Sequence, residues 1–255
     1  MNTSHTNGGA ARSTLVKITP AKRTQQPSEV EIENIETLTV PVTIVGKSQL
    51  IVNNFGAKGA QQLEDQRALT KEEREQQRKN GKKEISPAEI ERRFQAARCL
   101  NSKGEDCVRA AWIKGALVSA GKYPDIGIAS TRLKGVLYVE GDLLPIKFKT
   151  RPKSESDETI TYYGKGPAQR RDVVRVGLPG RKQPDIRYRP AYDDWSVDFH
   201  ITFEPRFISQ ALVYHLVRAA GTRVGLCEWR PEGPGGGDGG TFGRFDIKMD
   251  AKVRS

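Results

Sequence analysis

Trp195-Ser196-Val197-Asp198-Phe199-His200-Ile201-Thr202-Phe203 alternates apolar and polar side chains without a break. That period of two describes a strand with one face in a core and the other in water. Beyond it, Ile208, Ala211, Leu212, His215, Leu216 and Ala219 share one side of a helix predicted over Phe207–Ala220, with Gly221 placed to cap it. Val224–Trp229 reads as the next strand and Phe242–Met249 as the last. Between them lies Gly233-Pro234-Gly235-Gly236-Gly237-Asp238-Gly239-Gly240-Thr241-Phe242-Gly243. Seven glycines in eleven residues build no core. They offer backbone that can approach another molecule closely and N–H groups for anions.

Upstream, Leu38, Val40, Val42 and Ile44 set the same alternation over Leu38–Val45, and Pro41 suits an edge or a bulge. Ala110–Ala120 predicts a buried helix with Ala111, Trp112, Ala116, Leu117 and Ala120 on its inner side. Gly115 in its middle costs about 1 kcal/mol against alanine, which calls for a close-packing or binding reason. Leu133–Val139 and Leu143–Phe148 predict two strands of a hairpin turning at Glu140-Gly141-Asp142.

Two polar stretches interrupt this order. From Gly56 to Arg98, Leu63–Gln77 and Pro87–Arg98 are good helix formers on either side of a basic break, Lys79-Asn80-Gly81-Lys82-Lys83. Ser86 and Pro87 carry an N-cap signature. Arg151–Pro190 is basic, with room for short strands at Asp172–Val176 and Ile186–Tyr188. Residues 1–33 are rich in Ser, Thr, Asn, Gln and Gly and read as a disordered, slightly basic arm. The whole order is α+β: a ferredoxin- or RRM-like βαββαβ core. The expected organisation is one domain over 34–255, with a helical insertion at about 56–105, a basic loop at 150–190 and the C-terminal glycine-rich loop.

Composition narrows the function. Against 31 Asp and Glu stand 42 Lys and Arg, a net charge of +11 that attracts polyanions; solubility with a basic tail would give the same balance. A hydrophobic content of 36% and a mean hydropathy of -0.60 leave part of the chain for solvated tail or loop. No apolar run approaches the ~20 residues that span a bilayer, so no membrane association is expected. The start, MNTSHTNGGAARST, lacks the apolar centre of a secretory signal. Cys99, Cys107 and Cys227 form no CxxC pair, which fits a reducing cytoplasm and neither a disulfide framework nor a zinc site.

Catalytic motifs fail on context. Gly235–Gly240 matches GxGxxG in letters, but a strand follows it where a dinucleotide site needs a helix. Gly46-Lys47-Ser48 resembles the end of a P-loop, but Pro41 stands where its first glycine belongs. There is no GxSxG and no Cys/His pair for nucleophilic catalysis. Asp193-Asp194 suits capping or solvation before a strand, and His200 falls on a polar strand face. The expectation is therefore no enzyme, with no catalytic residue, metal ligand or cofactor.

Tyr162, Tyr163 and Tyr188 are interleaved with Lys165, Arg170, Arg171, Arg187 and Arg189. Base stacking with phosphate contact wants that mixture; half-buried tyrosines beside solvated arginines look the same.

These residues and their order resemble the RAMP superfamily, the backbone proteins of CRISPR effector complexes. That family has an RRM-like core and a glycine-rich loop after its second helix, where Gly225 and Gly233–Gly243 stand here. Its first helix often carries Ser-x-x-Lys-Gly-x-x-Arg. Ala111-Trp112-Ile113-Lys114-Gly115-Ala116-Leu117-Val118 keeps the Lys-Gly pair and lacks the serine and the arginine. The chain also resembles bacteriophage early proteins with a "PVTIVGKSxLIV" strand and an "EWRPxxxGxFGRF" segment. The resemblance implies single-stranded RNA or DNA held along a row of identical subunits in the cytoplasm of a bacterial host. In that reading Lys114 holds a phosphate and Gly235, Gly236, Gly237, Gly239 and Gly240 let backbone approach the strand. Arg230 and Arg244 flank them, and Tyr162, Tyr163, Lys165, Arg170 and Arg171 cover the strand. The alternative is a phage structural or assembly protein whose basic loops meet acidic partners. A nuclease is the third, with His200 or Asp238 as its residues.

Overall fold

The alternation that begins at Trp195 belongs to a much longer strand. In chain order the elements are β1 (Leu38–Gly46), β2 (Leu50–Ile51), α1 (Pro87–Ala97), β3 (Cys107–Arg109), α2 (Ala110–Ala120), α3 (Ser130–Val136), β4 (Leu137–Val139), β5 (Leu143–Lys149), β6 (Ile160–Thr161), β7 (Ala168–Val176), β8 (Gln183–Phe203), α4 (Gln210–Ala219) and β9 (Phe245–Ile247). The computed structural model describes residues 34–54, 70, 85–176, 183–233 and 239–248. The arm at 1–33, the helix expected over 63–77 and the basic break at 79–83 lie outside these residues.

The C-terminal half of β8 runs between two antiparallel neighbours. Val197 stands opposite Ile44 of β1 on one side and opposite Ile146 of β5 on the other. β9 adds to β1, and β3 adds to β5, giving the order β3-β5-β8-β1-β9. The N-terminal half of β8 pairs with β7 from Ala191–Ala168 to Gln183–Val176, and β6 lies outside β7. All these pairs are antiparallel, so the described chain is a mixed α/β protein built on a mostly antiparallel sheet with four helices.

Trp195, Val197, Phe199, Ile201 and Phe203 are each under 5% exposed, beside Val42 and Ile44 of β1. Ile113 and Leu117 of α2 and Val213, Leu216 and Val217 of α4 complete the same core cluster. Burying one such side chain is worth about 2 kcal/mol, so the spacing of these residues dominates the choice of face. The opposite face stays polar: Thr43 donates to Asp198 at 2.6 Å and Thr202 to Glu140 at 2.7 Å.

Several expectations are corrected. Residues 133–136 belong to helix α3, whose Leu133 fills the space beside Gly121, and only Leu137–Val139 is strand. The two runs form no hairpin with each other. β4 and β5 both pair with β8, and Gly141 (φ +85°) offsets one edge without reversing it. The basic loop at 150–190 is largely strand, since β6, β7 and the first half of β8 lie in it.

Gly221 does not end the second helix. α4 runs on through a π turn over Ala220–Val224, and a Cβ at Gly221 would meet the Phe245 carbonyl oxygen. Residues 224–229 are not a strand either. Gly225 (φ +72°), Cys227 (φ +61°) and Trp229 (φ +51°) are left-handed, a conformation no ladder accepts. Their apolar neighbours Val224 and Leu226 are buried as loop residues. On α2, Ile113 turns inward, while Ala111 is exposed and Trp112 only half-buried.

Candidate nucleic-acid interface

Helix α2 has two faces. Ile113, Leu117 and Ala120 enter the core; Ala111, Trp112, Gly115 and Ser119 line a cleft of about 550 Å³. Residues 224–228 and Arg230 form its other wall, and Asn53, Asn54 and Arg109 complete its lining. Apart from its own stretch of helix, no atom of the described residues lies within 4 Å of where a Cβ on Gly115 would stand. The mid-helix glycine therefore serves no internal packing, and what it preserves is open space in the cleft.

The polar groups around that space are held in place. Arg109 lies over the Trp112 ring at 5.9 Å and donates to Asn54 Oδ1 at 3.5 Å. Asn54 in turn donates its amide to the Arg98 carbonyl at 3.3 Å. Ser119 donates to Glu232 at 3.1 Å. Arg230 reaches back to the Cys227 carbonyl at 3.0 Å, closing its own loop. Burial and the Glu228 carboxylate push the Cys227 thiol well above the ordinary range. Burial pushes Cys107 up to about 11 and raises Cys99 as well.

The strained wall is supported from behind. Glu228 accepts from Asn53 at 3.4 Å and from Arg189 at 2.9 Å. Arg189, fully buried on β8, also donates to Asp172 of β7 at 2.7 Å and lies 4.6 Å from the Trp229 ring. Its Nε has no hydrogen-bond partner among the described residues. Arg170 joins Asp172 at 3.0 Å and Gln49 at 3.2 Å, and stands 4.7 Å over Phe242. Phe242 N donates to the Trp229 carbonyl at 3.1 Å. Glu228, Trp229 and Phe242 are thus first an internal clasp between the loop and the β7–β8 hairpin.

Of the residues expected at a strand-binding surface, the cleft holds Arg230. Lys114 lies on another side of α2 and donates to the Lys134 carbonyl at 2.9 Å, at the end of α3. Tyr162 donates to Asp193 at 2.9 Å, and burial with that bond pushes its phenol up to about 12. Tyr163 rests near Phe94, with ring centroids 6.3 Å apart. Lys165 and Arg171 are exposed. Arg244 donates to the Thr222 carbonyl at 3.2 Å. Gly239 and Gly240 fit against the carbonyls of Pro231 and Trp229, so their missing side chains serve the fold. Gly235, Gly236, Gly237 and Asp238 lie outside the described residues.

Arg109, Asn53, Asn54 and Glu228 are not singled out from the sequence, and Trp112 is expected there in the core. The available signal was Gly115, whose helical neighbour three residues back is Trp112. Among the described residues no group of His, Cys, Asp and Glu could hold a metal ion, and no helix is long and apolar enough to cross a membrane. No family model matches this chain, and no curated protein matches it.

Proposed function

We propose that this chain binds single-stranded RNA or DNA without regard to overall sequence, along the cleft between α2 and residues 224–230, and assembles side by side along the strand. The observation that carries the reading is Gly115: a glycine kept in mid-helix with nothing from another element packed on it, in a cleft lined also by Trp112, Arg109 and Arg230. An aromatic side chain with cations beside it suits a strand, because stacking tolerates any base and the arginines neutralise phosphates. The sheet order β5-β8-β1-β9, with α2 and α4 in the connections, supports a ferredoxin- or RRM-like core and the likeness to the RAMP superfamily. The lysine of that family's first-helix pattern is engaged at α3 here, so phosphate contact falls to Arg109 and Arg230.

Fluorescence anisotropy with labelled single strands across a salt series tests this. Affinity should fall steeply with salt as counterions are released. Arg109→Ala and Arg230→Ala should each weaken binding and lower the salt slope by about one. An affinity flat in salt overturns the mechanism. Gly115→Ala separates fold from function: it should raise stability by about 0.5–1 kcal/mol through helix propensity and still weaken strand binding. Thermal melts read the first effect and anisotropy the second.

A further inference from the structure

The cleft contains one group that a site built only for phosphate would exclude. Glu228 sits in its lining with its side chain 32% exposed. Oε2 is taken by Arg189 at 2.9 Å, a close charge-assisted bond. Among the described residues Oε1 has only the Asn53 amide at 3.4 Å, near the limit of a hydrogen bond, so it keeps capacity to accept. A carboxylate cannot donate, and a phosphate brought against it would be repelled. A donor is what it can receive.

Bases differ in that respect. Adenine, cytosine and guanine each carry an exocyclic amino group, whereas uracil and thymine show a carbonyl oxygen at the corresponding edge. The rest of the lining offers one surface for stacking. Trp112 is the one aromatic side chain in it, and the unoccupied volume over Gly115 lies beside that ring on α2. Arg109 and Arg230, in the same lining, supply positive charge for the sugar-phosphate.

Resting on the strand-binding reading above, we propose that the cleft is a single-base subsite. One nucleobase stacks on Trp112 over the Gly115 backbone, and Glu228 accepts its exocyclic amino group. The protein then binds strands of any sequence but takes an amino-bearing base at one position per subunit in preference to uracil or thymine. Arg189 is a positioning residue for this choice, since it orients the carboxylate from behind.

Anisotropy with equal-length oligo(dC) and oligo(dU) at low salt is the decisive comparison, because the two bases share one ring size and differ at the edge in question. Oligo(dC) should bind about tenfold tighter, the effect expected of one hydrogen bond to a charged acceptor. Trp112→Ala should weaken both by about tenfold through lost stacking. Glu228→Gln should narrow the gap between them, since a carboxamide can also donate to the uracil carbonyl. The wild-type comparison stands by itself if a variant fails to fold. Equal affinities for oligo(dC) and oligo(dU), with salt-sensitive binding intact, overturn the base subsite and leave the strand-binding reading standing. No binding of either at low salt overturns both.

Discussion

Arg189→Met is expected to destabilise the protein by about 3 kcal/mol, read as a lowered denaturant midpoint with unchanged slope. Arg189 is 0% exposed and bridges Asp172 and Glu228, which come from opposite sides of the clasp. Removing one member of a buried ion network strands the others in a medium that solvates them poorly. The loss falls at the lower end of the usual range for two reasons visible in the geometry. Asp172 keeps Arg170 at 3.0 Å, and Glu228 retains partial contact with water. Arg189→Lys should not rescue it. A single ammonium cannot bond two carboxylates in a fork and lie flat against the Trp229 ring as the guanidinium does. Because Glu228 belongs to the cleft wall, strand affinity should fall with the stability.

A comparable loss, about 3 kcal/mol or more, is expected for Gly243→Ala, and Gly104→Ala shows why. Both glycines are left-handed, at φ +65° and +78°. Forcing an L side chain into that region costs roughly 1–2 kcal/mol by itself. At Gly104 nothing lies within 4 Å of the new methyl, so the cost stops there. At Gly243 the methyl would meet the Leu226 carbonyl oxygen, which belongs to the cleft wall. That wall cannot yield without breaking the bonds from Leu226 N to the Gly243 carbonyl (2.9 Å) and from Gly243 N to the Gln49 carbonyl (2.9 Å). Chemical denaturation of the two variants side by side checks the contrast. Equal losses would mean that the loop adapts and the close approach carries no weight.

The same contrast explains what the sequence discloses. Where burial alone selects residues, periodicity is legible: β1 and the second half of β8 alternate as expected, and α2 spans Ala110–Ala120 as its composition predicts. The first half of β8 is legible only as the short strand at Ile186–Tyr188. Its buried residue Arg189 reads as solvated charge until Asp172 and Glu228 are seen beside it. Val224 and Leu226 look like a strand because burial without a ladder leaves the same apolar letters. On α2, Ala116, Leu117 and Ala120 are buried as expected, and the error lies in the first turn. Adjacent residues sit about 100° apart on a helix, and Trp112 and Ile113 exchange faces when the pattern is displaced by one. The cleft announced itself only through Gly115; its other members come from Asn53, Asn54 and residues 224–230, distant in sequence and without a shared motif.

β8 runs twenty-one residues without a gap, from the hairpin with β7 to the centre of the main sheet. A hairpin carried on a linker could swing to admit a strand and close over it. Here the junction with the main sheet falls at Asp194, left-handed at φ +46°, between the last pair with β7 at Ala191 and the first with β1 at Ser196. The ladder with β5 shifts register at the same place. A bulge bends a strand and adds twist, so the direction of the hairpin is set by a single residue's backbone and not by a linker.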